Sequence, residues 1–240
     1  MIAAFLWGAV AASALLVGAA IAYTATPSRR VIAVVMALGS GLLLGSVSFE
    51  LIDEAIVNAD PVAIGLVTLL GAGVFTAGNW WLARRGGGGR KDPTGVQSEG
   101  KAQAIVLGSV LDGIPESFVL GLTILQGAVS VPLLLGIILS NLPEGMSSSS
   151  GLRAAGWPAR RVMTMWSFVV VASAISAAVG YFLLDPSLGR TGALVQAFAA
   201  GALLAMLADT MLPEAYEVEG AFTGSLVVAG FAVSIILSAA

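Results

Sequence analysis

The chain has no cysteine and no histidine. The first absence excludes a disulfide framework and any thiolate metal site. The second removes the commonest metal ligand and the usual proton shuttle near neutral pH. Charge is scarce too: Asp, Glu, Lys and Arg make up 10% of the 240 residues, against about 25% in a soluble domain. A surface solvated on all sides is therefore excluded. With no His, no Cys and no Ser-Lys pair inside an apolar run, an enzyme is not expected. Eleven basic residues against fourteen acidic ones argue against a nucleic-acid partner, and nothing suggests a bound cofactor.

What the chain has is apolar length. Hydrophobic residues make up 58% of it, and a bilayer core needs about 20 consecutive apolar residues per helix. Eight segments qualify, roughly 2–23, 31–52, 61–82, 102–126, 131–151, 162–184, 191–213 and 221–239. The expected fold is an all-α integral membrane protein with eight transmembrane helices, a single polytopic domain over 1–240. The first segment lacks a basic flank and reads as a span rather than a cleaved signal. Glycines inside the segments, such as Gly39, Gly41, Gly45, Gly71 and Gly73, suit close helix packing in lipid. The connections are short except the polar, basic stretch at about 83–101, which reads as a flexible linker.

Lys and Arg fall on alternate connections. Arg29, Arg30, Arg84, Arg85, Arg90, Lys91, Lys101, Arg153, Arg160 and Arg161 lie after odd-numbered segments, and only Arg190 lies in the other set. The positive-inside rule then puts the odd connections in the cytoplasm and both termini outside, in a plasma or inner membrane. Gly39–Ala55 and Ala199–Ala215 align at an offset of 160 residues, through Gly41, Leu43, Leu44, Glu54 and Ala55. Because segments two and seven run in opposite directions, the repeat is expected to be inverted, segments 1–3 against 6–8 around 4 and 5. That is a common transporter architecture.

The chemistry gathers in segments four and five, each with Pro-Glu near its middle: Leu111-Asp112-Gly113-Ile114-Pro115-Glu116-Ser117 and Ser140-Asn141-Leu142-Pro143-Glu144-Gly145. Asp112 and Glu116 share a helical face, as do Asn141 and Glu144. If the two helices face each other, the four side chains form an all-oxygen cation cage. Pro115 and Pro143 each withhold an N–H from the carbonyl four residues back, Leu111 and Leu139, and free carbonyls at membrane depth are expected beside protein or a watery cavity. An acid at the bilayer centre costs about 2.5–3.5 kcal/mol and marks a functional site by default. Ser109, Ser140, Ser147 and Ser148 extend the polar path. Glu50 and Asp53, at the outer end of segment two, and Asp209 and Glu214, at the inner end of segment seven, read either as solvated helix ends or as further candidates that would draw cations in and out.

At these residues the chain resembles the ZIP (zinc/iron permease) family of divalent-metal transporters, which carries His-Asn-x-Pro-Glu-Gly-like motifs in its fourth and fifth helices. The stretch from Ala197 through Glu214, the eight helices, the basic loop and the outward termini resemble it as well. The resemblance implies Zn²⁺, Fe²⁺ or Mn²⁺ as substrate moving toward the cytoplasm, a homodimer, and an elevator-like motion of helices one, four, five and six against two, three, seven and eight. The sequence departs from the family pattern at Asp112 and Ser140, which replace motif histidines, and at Gly113, which replaces a ligand Asn. Segment six has no acid before Asp185. These departures leave one expected site, of Asp112, Glu116, Asn141 and Glu144. Two other readings use the same acids: a proton relay in a carrier of a small organic solute, or a transport-dead, metal-sensing scaffold.

Overall fold

The computed structural model describes residues 1–25, 27–84, 99–125, 129–183 and 189–239, and within these it is helical, with no strand. Eight helical rods follow one another. α1 is Ile2–Thr24, α2 is Arg29–Asn58, α3 is Pro61–Leu82 and α4 is Glu99–Leu125. α5 is Val131–Ala154, α6 is Ala159–Leu183, α7 is Arg190–Glu219 and α8 is Phe222–Ser238. Six of them are long and apolar enough to cross a membrane. α5 is long enough but is not among the six, because Ser140, Asn141, Glu144 and the serines at 147–150 dilute its apolar character. α8 is apolar but shorter. The expected basic linker at 83–101 falls largely outside the described residues, and α4 begins at Glu99 rather than 102.

Local chemistry sets several of the starts. Ser28 accepts from the Val31 N–H at 3.3 Å, Asp60 from Ala63 at 3.1 Å and Ser130 from Leu133 at 3.1 Å. Each is an N-cap that satisfies an orphan donor of the first turn. Pro61 and Pro132 follow two of these caps in the first turn, where a missing N–H does no harm. The turn between α5 and α6 passes through Gly156 at φ +84, a conformation that side chains resist.

α2 and α7 run further than the expected 31–52 and 191–213. Each contains a π-helical stretch, Val47–Ile52 and Leu207–Met211, and then continues as α-helix to Asn58 and Glu219. Glu50 and Asp209, which the expected bounds put near helix ends, thus lie inside continuous helices. The two π segments begin 160 residues apart, the offset of the sequence repeat, and burial after them repeats too: Leu51 and Ala55 are buried, as are Met211 and Ala215.

Packing sorts the rods into two sets. α1 packs along α5 and α6, and α4 along α6; α2 packs along α8 and the later part of α7, and α3 along α7. The main contact between the two sets is α2 against α5. Four crossings bring backbones together through paired glycines: Gly18 with Gly145, Gly121 with Gly180, Gly41 with Gly230 and Gly71 with Gly201. A Cβ on any of the eight would overlap a carbonyl oxygen of the facing helix. The largest core cluster lies among α2, α4, α5 and α7, with Leu43, Leu120, Leu133, Ile137 and Leu203 at its centre. Much of the outside of the bundle is apolar, including Leu69, Leu70, Phe168 and Ile236.

These crossings predict an asymmetry among glycines. Gly41→Ala and Gly121→Ala force backbones apart and should each lower stability by about 1–3 kcal/mol. Gly73→Ala enters open space and should be neutral or stabilising, as alanine is the better helix former. Thermal unfolding in detergent micelles measures all three.

Candidate cation site

α4 and α5 bring together the buried polar layer that their sequences suggested. Asp112, Glu116, Asn141 and Glu144 are all 5% exposed or less, and Ser109, Ser117, Ser140, Ser147 and Ser148 are buried with them. The two helices are cross-braced. Ser109 of α4 donates to Oε1 of Glu144 on α5. In return, Ser140 of α5 donates to Oε1 of Glu116 on α4 at 2.8 Å, with the Ile137 carbonyl a competing acceptor at 3.1 Å. Each glutamate therefore receives a hydroxyl from the opposite helix.

The helices are antiparallel, so these two bonds form separate rungs. Ser109 and Glu116 are about 10 Å apart along α4, and Ser140 and Glu144 about 6 Å apart along α5, at 1.5 Å per residue. Asp112 lies between the rungs in sequence. Among the described residues, no group of three acidic side chains is placed to hold one ion together. The amide nitrogen of Asn141 donates to the Ala11 carbonyl of α1, at 3.4 Å.

The carbonyl of Leu139, which loses its helical partner to Pro143, is packed against protein rather than a watery space. A Cβ on Gly39 of α2 would lie 2.9 Å from that carbonyl oxygen, so the glycine lets α2 approach it closely. Both prolines lie inside continuous helices.

Sequence reasoning passed over α6 because it looked there only for acids. α6 contributes hydroxyls instead. Ser176 donates to the Ile114 carbonyl at 2.9 Å, and Ser173 is buried, its Oγ 3.0 Å from where a Cβ on Gly113 would stand. The available signal was Ser173 and Ser176, three apart in an otherwise apolar run. Further along α6, Trp166 is fully buried and donates its indole N–H to Ser149 at 2.8 Å. Ser150 turns back to the Met146 carbonyl at 2.7 Å.

The auxiliary acids lie on α2 and α7. At the end of the bundle where α2 finishes and α5 begins, a cavity of about 530 Å³ is lined by Phe49, Glu50, Asp53, Glu54, Val57, Thr123, Val129 and Ser130. Oε2 of Glu50 is buried there without a hydrogen-bond partner, and Glu54 accepts from Gln196 of α7 at 3.2 Å. Thr123 is seven residues from Glu116, about two helical turns. Nearer the arginines, Asp209 is exposed within its π segment and accepts from Thr76 of α3 at 3.1 Å. Glu214 is half-buried. Among the described residues, the carboxylates are thus spread along the bundle rather than gathered at one point.

No family model matches the chain, and no curated protein matches it.

The rungs make a measurable prediction. A hydroxyl that donates to a buried carboxylate contributes about 1.5–3 kcal/mol. In a double-mutant cycle of Ser109→Ala with Glu144→Gln, the unfolding free energies should be non-additive by at least about 0.5 kcal/mol. Additive effects would mean that the rung does not hold.

Proposed function

We propose that the chain is a multi-pass membrane transporter of divalent metal ions, of the ZIP type, with the α4–α5 layer as its binding region. The observation that carries this reading is the burial of Asp112, Glu116 and Glu144 in one layer, between helices whose apolar runs contain no Lys or Arg to neutralise them. Acids in such a place are retained where they meet a cation or a proton. The distribution of Lys and Arg supports outward termini in a plasma or inner membrane, and passage toward the cytoplasm is what the resemblance to the ZIP family implies. An inverted repeat, α1–α3 against α6–α8, is supported by the matched π segments and by the way the glycine crossings pair off. All eight helices then cross the membrane, and a homodimer belongs to the same reading.

In this mechanism the ion enters at the Glu50 cavity. It then takes the place of the serine protons on Glu116 and Glu144. Ser109 and Ser140 either swing aside or offer their oxygens as ligands. Such a site presents carboxylate, hydroxyl and amide oxygen only. Carboxylate and water suit Mn²⁺, whereas imidazole suits Zn²⁺. We therefore read the selectivity as relaxed, with Mn²⁺ or Fe²⁺ carried alongside Zn²⁺.

Reconstituted vesicles loaded with a metal-sensitive dye test the reading. Wild type should take up Zn²⁺ and Mn²⁺, and Glu116→Ala and Glu144→Ala should abolish uptake while keeping the helical fold. Uptake at wild-type rates by both variants would place the site elsewhere.

Asp112→His addresses selectivity separately. It adds the nitrogen ligand that zinc favours, and the ratio of Zn²⁺ to Mn²⁺ uptake should rise. A ratio unmoved by the substitution would sink the argument from ligand type and leave the transporter assignment standing.

The stagger of the carboxylates favours one other reading, a proton relay serving a carrier of a small organic solute. Hydroxyl–carboxylate rungs can pass a proton without any three acids converging. In that case the vesicles would acidify without metal, and uptake of Zn²⁺ and Mn²⁺ would be absent.

A further inference from the structure

A buried polar atom without a partner marks a place that a water or an ion completes. Among the described residues four side-chain atoms are in that position. Three sit on α2 and α8, namely Oγ of Ser46, Oε2 of Glu50 and Oγ of Ser234, and the fourth is Oγ1 of Thr68 on α3. Ser46 and Ser234 are fully buried. A serine inside a helix can turn its hydroxyl back to the carbonyl four residues before it. Ser40 and Ser48 of α2 do so, to Met36 and Leu44, both at 2.8 Å. Ser46, between them, does not, and neither does Ser234.

The three atoms belong to one crossing. Ser234 projects at α2 where Gly45 leaves room: a Cβ on that glycine would lie 2.5 Å from the serine oxygen. Ser46 is the next residue, and Glu50 follows about one turn later on the same side of α2. Ser238, one turn beyond Ser234 on α8, reaches the Glu50 carboxyl group, as does Ser130 of α5, yet Oε2 is left without a partner. Ser46 immediately precedes the π segment Val47–Ile52 and Glu50 lies inside it. Such segments are frequent at functional sites. Phe49 and Phe231 pack ring to ring across the same two helices, centroids 5.5 Å apart. Glu50 also lines the cavity at this end, which gives the crossing a way in.

Carboxylate and hydroxyl oxygens are ligands for hard cations, and the number of carboxylates sets the charge they suit. Of the three acids lining the cavity, Asp53 is exposed and Glu54 accepts from Gln196 of α7, which leaves Glu50 as the carboxylate of the crossing. One carboxylate matches one positive charge. In secondary transporters, oxygens freed where a helix departs from regular hydrogen bonding coordinate Na⁺. The close approach at Gly45 favours a small ion over K⁺. We infer that Ser46, Glu50 and Ser234 form a monovalent-cation site that takes Na⁺, entered from the Glu50 cavity. The inference rests on the atoms left without partners and not on what α4 and α5 carry.

The test uses the full chain in detergent micelles, exchanged into choline chloride, with radioactive Na⁺ as the probe. Binding should saturate at one ion per chain, and K⁺ should compete poorly. Glu50→Gln should abolish it. Ser46→Ala/Ser234→Ala should weaken it at least about tenfold, since loss of even an outer partner does as much at metal sites. Ser40→Ala, whose hydroxyl serves its own helix, should bind as wild type does. The serine pair keeps the test decisive should Glu50→Gln fail to fold. Absence of saturable binding in the wild type, with water meeting the unpartnered atoms, would overturn the inference. So would wild-type affinity in the serine double variant.

Discussion

Two hydrogen bonds of opposite sense, Ser109 to Glu144 and Ser140 to Glu116, are the constraint around which the bundle is arranged. A carboxylate among apolar helices needs donors, and here no arginine or lysine of either helix is within its own apolar run to supply one. The chain meets the need with neutral hydroxyls, each from the opposing helix. That choice keeps the layer polar and satisfied without neutralising it. A salt bridge would have tied up the same oxygens more strongly and left less for a cation. Because each helix gives one donor and one acceptor, sliding α4 past α5 breaks both rungs at once, so the pair fixes its own register.

The rest of the fold holds that layer dry and in place. α4 and α5 make little direct contact beyond it. Each is clasped from outside, α5 by α1 through Gly18 and Gly145, and α4 by α6 through Gly121 and Gly180. Small residues permit such approach where lipid gives no hydrophobic drive for helices to associate. The second set, α2, α3, α7 and α8, uses the same device, and α2 meets α5 with Gly39 against the carbonyl that Pro143 leaves unbonded. The proline and the glycine thus solve one problem from two sides: one frees the acceptor, the other lets a neighbour cover it.

Departures from the expected helix bounds have a common cause. The acidic stretches in α2 and α7 look like solvated ends because charge and apolar length are what sequence patterns report. In the structure each stretch follows or contains a π segment, which re-aims one carboxylate, Glu50 in α2 and Asp209 in α7, without ending the helix. An inserted residue of that kind leaves no mark on hydropathy.

Composition and pattern alone determined the all-helical architecture, the eight rods, the dense polar layer on α4 and α5 and the gathering of Lys and Arg on alternate connections, Arg190 excepted. Each of these follows from local properties: apolar length, the spacing of residues on one helical face, and the alternation of charge between connections. Tertiary structure decided how the layer is wired. The motifs placed Asp112, Glu116, Asn141 and Glu144 on suitable faces, and from that a four-ligand cage was the natural reading. Across antiparallel α4 and α5, Glu116 and Glu144 each accept from a serine of the opposite helix, and Asn141 bonds to α1. The hydroxyls of α6 and the glycine crossings came into view only once the helices were packed. Spacing along one helix fixes which residues share a face, whereas axial register and neighbour identity depend on contacts between residues far apart in the chain.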